Sequence, residues 1–221
     1  MSREYELNED IFNVIDDEEK AYWLGFLYAD GAIYIRKRKG HGTSYSIHLN
    51  LSSKDYDHLV KFANFIGTNK PARKFISNGY DTSGIEINSK NIAIRLIQYG
   101  CVEKKSLVLG FPIWLNTVLG GDLIRHFVRG YFDGDGFFEK RRLSIVSTES
   151  FLTELQKIIT DVLNIKSYIR PHYSNNNGIT KYLWIEKKKD IMIFLNWLYN
   201  DTNVYLDRKY QKYLELEQER L

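Results

Sequence analysis

Two stretches of the 221-residue chain end alike, WLGFLYADG at 23–31 and VRGYFDGDG at 128–136, and each places an aspartate behind an apolar run and before a glycine. The two aspartates, Asp30 and Asp135, stand 105 residues apart. Read as helices, Gly25 and Ala29 share one face of the first run, and Gly130 and Gly134 share the matching face of the second. Glycine inside a helix costs about 1 kcal/mol relative to alanine, and close approach of two backbones is a reason to keep it there. Helices packed along those four residues would meet at their C-terminal ends, with Asp30 and Asp135 side by side. Two such carboxylates repel, and each faces the negative end of a helix dipole, a poor arrangement without a bound cation. Oxygen-only ligands suit Mg²⁺, held by few protein groups, with water and phosphate oxygens completing the octahedron. Metals between the aspartates can activate water and stabilise a leaving oxygen, which is phosphodiesterase chemistry.

The elements that must position these residues repeat along the chain. Asp16 and Glu19 have capping-box spacing and open a helix that ends at Asp30-Gly31. The alternating runs AIYIRKRK (32–39) and SIHLNLSS (46–53) predict a hairpin, 54–67 a helix, ARKFIS (72–77) and GIEIN (84–88) two strands about the Asn78-Gly79 turn, and 90–100 a helix closed by Gly100. The second half follows the same order: a helix from Asp122 through Gly134, the hairpin GFFEK and RLSIVST, a helix at 149–163, strands at 166–173 and 180–186, and a helix at 187–200. Ser52 and Ser147 are 95 apart, so the first hairpin is ten residues longer. The expected fold is α+β, two pseudo-symmetric αββαββα half-domains with antiparallel sheets, best explained by internal duplication. The first half spans 1–110 with an acidic flank at 1–17, a connector covers 111–121, and the second half spans 122–221 with a C-terminal helix. Both termini read as charged, helical flanks.

Composition narrows the class. With 43% hydrophobic and 27% charged residues the chain is of ordinary globular make-up. Its one cysteine, Cys101, excludes an internal disulfide framework and a cysteine-based zinc cluster, and reads as a buried thiol in a reducing compartment. The N-terminus lacks a basic and an apolar signal region, and no run of about 18 apolar residues occurs, so the expectation is a soluble intracellular protein, cytoplasmic or organellar, with no membrane partner. The net charge of +3 is uneven: residues 1–20 carry −6 and the remainder +9. The basic runs at 36–39, 140–142 and 187–189 lie beside aromatic residues. Each alone is an ordinary solvated face, and their matched places in a repeat favour a nucleic-acid surface.

The two motifs, each heading an αββαββα unit over roughly residues 18–210, resemble those of the single-chain LAGLIDADG homing endonucleases, and YGCVEKKSLVLGFP (99–112) is similar to the connector of that family. The resemblance implies a monomer that cuts both strands of double-stranded DNA across the minor groove to leave short 3′ overhangs. It implies Mg²⁺ as cofactor, with Mn²⁺ or Ca²⁺ as substitutes for binding. Asp30 and Asp135 would be catalytic metal ligands, joined by the carbonyls of Ala29 and Gly134. A family lysine near the end of a half's fourth strand could be Lys90, Lys187 or Lys188, and role-free surface lysines are the plainer reading of each. The glutamine that often follows the second strand is replaced by Ser53 in one half and Thr148 in the other, a departure from the pattern.

Strand alternation predicts which residues read DNA. If Ile33 and Ile35 point inward, Tyr34, Arg36 and Arg38 point outward, and so do Arg170, His172, Tyr182 and Trp184, with Arg141 at the second hairpin. Other readings stand beside this one. FDGDG shares an Asp-x-Asp with the haloacid dehalogenase phosphatases, but YADG lacks the first aspartate, and a calcium loop would need acids where Phe137 and Phe138 stand. Asp133 is matched by Tyr28 and reads as structural or cap-like. The same scaffold could serve as a non-catalytic maturase for intron RNA or as a DNA-binding regulator. It could also be the endonuclease domain of an excised intein, although no splicing block is legible at either end.

Overall fold

A computed structural model of the protein describes residues 4–38, 42–101, 108–115, 122–172 and 180–219. The Arg38 side chain and the part of the expected connector at 116–121 lie outside the described residues. Helix α1 (Glu18–Ala29) begins one residue later than the capping-box spacing suggests. Asp17 has the extended backbone of an N-cap and accepts from Lys20 N at 2.8 Å, while Asp16 pairs with Lys20 Nζ at 2.5 Å. The described part of the acidic flank, 4–17, forms no helix. It is a strap: Asn8 N donates to Ile66 O, Ser89 Oγ and Asn91 Nδ2 donate to Glu9, and Phe12 and Ile15 are buried beneath it.

The first half continues with β1 (Gly31–Arg38), β2 (Gly42–Ser52), a short 3₁₀ turn, α2 (Tyr56–Phe65), β3 (Arg73–Ser77), β4 (Tyr80–Ile87) and α3 (Lys90–Gln98). The second runs α4 (Asp122–Asp135), β5 (Gly136–Glu139), β6 (Arg142–Thr148), α5 (Glu149–Leu163), β7 (Tyr168–Pro171), β8 (Thr180–Ile185) and α6 (Lys188–Tyr199), followed by α7 (Asp207–Gln218). Two antiparallel four-stranded sheets result, ordered β1-β2-β4-β3 and β5-β6-β8-β7. Asn78 and Gly79 both have positive φ, the twist a two-residue hairpin turn needs. Strand β4 starts at Tyr80, four residues earlier than GIEIN suggests, because that turn pairs Ser77 directly with Tyr80.

One face of each sheet is apolar and packs on helices: Ile47, Leu49, Ile85 and Ile87 in the first, Leu143, Ile145, Leu183 and Ile185 in the second. Ile33 joins the first set, but Ile35 is 38% exposed, contrary to the expected inward alternation. The hairpin β1–β2 outruns the helical layer, and beyond Ile33 both its faces meet solvent. Cys101 is buried, with Sγ 3.5 Å from Leu27 O. Among the described residues no helix is long and apolar enough to cross a membrane.

The halves meet along α1 and α4. Every residue from Ala21 to Tyr28 is buried, as befits a helix covered on all sides. A β-carbon added to Gly25 would lie 2.0 Å from Phe127 O, and one added to Gly130 would lie 1.9 Å from Tyr22 O. Backbone thus touches backbone, twice. At the start of this pair Arg129, with no exposed surface, donates to Glu18 Oε1 (2.7 Å), Val204 O (2.9 Å) and Leu198 O (3.1 Å). Burial works to raise the Glu18 carboxyl, but donors from Thr202, Asn203 and Arg129 hold it down at about 2.

Gly130→Ala should destabilise the protein by at least about 3 kcal/mol, the upper end of overpacking costs, because its obstacle is main chain rather than a movable side chain. Urea unfolding would measure it, and an unchanged midpoint would mean that the helices are not in backbone contact.

Candidate active site

The same contact decides where the aspartates sit. Asp30 caps α1 in helical conformation, its N–H reaching Phe26 O at 2.9 Å, and its side chain crosses to the partner helix. A β-carbon on Gly134 would lie 3.0 Å from Asp30 Oδ2 and 2.3 Å from Ala29 Cβ. Gly134 therefore provides the space for the Asp30 carboxylate, and Asp135 follows it as the last residue of α4. The buried Tyr131 hydroxyl lies 2.8 Å from Ser147 Oγ and 3.0 Å from Val146 O. Burial, then the charge of Asp135 and of Asp30, raises its pKa well above the usual phenol value.

A cation sits beneath the pair. Lys209 of α7 is 5% exposed and donates through Nζ to Phe132 O and Gly136 O, both at 2.5 Å, so it grips the helix-to-strand junction that carries Asp135. Burial lowers its pKa to about 8 against the opposing pull of Asp133, Asp30 and Asp135. Asp133 is fully buried and accepts from Tyr199 Oη (2.6 Å), Tyr22 Oη (2.8 Å) and Leu206 N (2.8 Å). Burial outweighs these bonds and raises its carboxyl above the usual value. Its role is structural: it ties the segment before α7 to the last turn of α4.

Two open clefts flank the aspartates. Asp30 and Gly134 share one with Ser53, Lys54, Tyr80 and Arg208. Asp135 and Ala29 share the other with Tyr131, Ser147, Thr148 and His172. Ser53 Oγ accepts from Ser83 Oγ, and Thr148 caps α5 while donating to Leu109 O. Lys90, Lys187 and Lys188 line neither cleft. Strand direction explains their absence: β4 and β8 begin at the clefts, at Tyr80 and Thr180, and run away from them, so lysines after each strand lie at the far end. Among the described residues the cationic groups near the aspartates are Lys209, Lys54 and Arg208, none of which the motif spacing identified.

Among the described residues no group of three or more His, Cys, Asp or Glu side chains could hold a metal. Two carboxylates at adjoining helix ends with main-chain carbonyls beside them are the sparse, hard-oxygen set that fits Mg²⁺.

Comparison with known proteins bears on this geometry. Residues 122–197 match the family model described as the LAGLIDADG-like domain. The homing endonuclease I-DmoI in complex with DNA and Ca superposes with a TM-score of 0.61 at 17% identity, covering 96% of this chain and 100% of that one. The chain has the two-repeat LAGLIDADG fold. The meganuclease I-SmaMI bound to uncleavable DNA gives a TM-score of 0.61 at 15% identity over 89% of this chain and 88% of that one. Replication factor C small subunit of Methanocaldococcus jannaschii is 24% identical over 210 residues, which are 93% of this chain and 10% of that protein. The chain thus spans about a tenth of the length of that curated relative.

The outer faces of both sheets carry polar and aromatic side chains. Tyr34 is 42% exposed, packs edge-on to His48 and lies under Arg36. His48, Asn50, Lys70, Arg73 and Phe75 line a shallow cleft on the same face. Residue alternation hid them, since Asn50 and Arg73 become neighbours only by both pairing with Gly84. On the second sheet Tyr182 packs between His172 and Trp184, and Arg170 bridges to Glu186 at 2.7 Å. Arg141 is not on that face. It sits in the two-residue turn between Glu139 and Arg142 and lines a cleft with Lys212, Glu215 and Leu216 of α7. Arg142 takes the expected place, stacked over Phe137 and Trp184.

The two kinds of aspartate should differ in sign. Asp133→Asn should cost about 2–3 kcal/mol by presenting an amide group to buried donors, whereas Asp30→Asn or Asp135→Asn should be neutral or stabilise by up to about 1 kcal/mol by relieving repulsion at two helix C-termini. Urea unfolding of the three variants at pH 7 checks this.

Proposed function

We propose that the protein is a site-specific, Mg²⁺-dependent double-strand DNA endonuclease acting as a monomer. The observation that carries the proposal is the placement of Asp30 and Asp135 at the joined ends of two helices, between two sheets with basic and aromatic outer faces. I-DmoI and I-SmaMI, of the same fold, have been seen with DNA, and I-DmoI with Mg, Mn or Ca as well.

Asp30, Asp135 and the carbonyls of Ala29 and Gly134 would hold the metal, which when bound supplies Lewis-acid polarisation of the phosphate and a lowered pKa for attacking water. The protein groups do the positioning. Lys209 fixes the Asp135 junction, Gly134 leaves room for the Asp30 carboxylate, and the two clefts offer one opening for each strand. The resemblance to the homing endonucleases implies cutting across the minor groove to leave short 3′ overhangs. Tyr34, Arg36, Arg38, Arg142, Arg170, His172, Tyr182 and Trp184 would meet the groove and phosphates, and because the halves differ the target is long and asymmetric. A second reading, an endonuclease unit carried within a longer polypeptide, draws support from the curated relative, only a tenth of which is matched.

The test is incubation with a randomised duplex library in Mg²⁺ and sequencing of the bound and the cut molecules. Discrete staggered cuts by the wild type, lost in Asp30→Asn and Asp135→Asn with binding retained, are expected. Sequence-specific binding without cutting, or tight metal-independent binding of structured intron RNA, would point to a regulator or maturase instead. Arg36→Ala should weaken specific binding and lower the slope of log affinity against log salt by about one, as gel-shift titration at several salt concentrations would show.

A further inference from the structure

The clefts beside the two aspartates are chemically unlike, and the difference comes from α7, which follows the second αββαββα unit yet sends a side chain to the cleft of the first. Arg208 lines the cleft of Asp30 and Gly134. Its Nε lies 2.9 and 3.0 Å from the two carboxylate oxygens of Asp55, a side chain that is 8% exposed, while the Arg208 side chain itself stays 54% exposed. The start of α7 is held on the first half by a second ion pair, Lys61 Nζ to Asp207 Oδ1 at 2.5 Å, and Lys61 also donates to Tyr205 O. Lys209, the next residue, anchors the helix from the other side. Arg208 is thus a fixed cation with an open face.

Among the described residues the cleft of Asp135 has no matching group. Its described lining includes no arginine or lysine, and its basic side chain is His172, whose Nδ1 lies 2.9 Å from Thr180 Oγ1.

We propose that Arg208 is a phosphate-contacting residue for one strand only, the strand whose backbone enters the cleft beside Asp30, so that the two strands of a bound duplex are held by different chemistry. A guanidinium braced through Nε presents its Nη groups in one plane, the geometry that suits two phosphate oxygens. The proposal rests on the nuclease reading above.

The experiment uses the duplex recovered from the library, end-labelled on each strand separately, with wild type, Arg208→Gln and Arg208→Lys in Mg²⁺. Arg208→Gln should slow cutting of one strand by roughly tenfold to a hundredfold, as loss of one hydrogen bond to a charged group does, and leave the other within about twofold. Nicked duplex then accumulates, and Arg208→Lys should restore part of the lost rate. Equal slowing of both strands, or of neither, overturns the proposal. Binding in Ca²⁺ gives a second readout: the slope of log affinity against log salt should fall by about one in Arg208→Gln, and an unchanged slope removes the phosphate contact. A wild type that binds the duplex and cuts neither strand overturns the nuclease reading instead, and the salt slope alone then decides the role of Arg208.

Discussion

Everything in this protein hangs on the contact of two helix backbones at Gly25 and Gly130. Side chains of any size there would push α1 and α4 apart, since the atoms in the way are the carbonyls of Phe127 and Tyr22. Close approach also leaves little room for error in rotation or sliding. One turn further on, the same geometry brings Ala29 against Gly134 and aims Asp30 across the interface. A site made of two residues from distant parts of the chain is thereby fixed by main-chain sterics, the stiffest constraint available.

Charge is distributed around that axis with unusual care for so buried a place. At the start of the pair, Arg129 has no exposed surface, and its guanidinium is met by Glu18 and by two carbonyls. At the end, Asp133 has three donors and Lys209 two acceptors. Buried ions on this scale contribute little net stability compared with apolar packing, but removing one partner strands the other at high cost. They act as registration pins. The segment from Tyr199 to Lys209 supplies donors to Asp133 and to the last-turn carbonyl of Phe132, so the C-terminal region braces the junction on which Asp135 depends.

The repeat gives both halves one plan, and the departures from it are local. The β1–β2 hairpin is longer than β5–β6, which leaves Ile35 in solvent and extends the first outer face. Ser53 and Thr148 stand at matched places and each lines its own half's cleft, yet Ser53 accepts from Ser83 while Thr148 caps α5 and donates to Leu109 O. Such differences turn a symmetric scaffold into two unlike half-sites.

The sequence by itself determined the order of elements, the duplicated plan, the helix faces bearing Gly25, Ala29, Gly130 and Gly134, and the candidate pair Asp30 and Asp135. These are local properties: apolar period, turn residues and motif spacing act over a few residues and survive without knowledge of partners. The tertiary structure decided what depends on distant chain segments meeting. Strand direction removed Lys90, Lys187 and Lys188 from the clefts, and a two-residue turn exchanged Arg141 for Arg142 on the outer face. The acidic flank reads as helical by composition, but its described part is a strap tied to α3 and to Ile66, the residue that closes α2. Lys209 and Arg208 lie in a charged C-terminal stretch with no motif, and only the return of α7 to the helix ends sets them beside the aspartates.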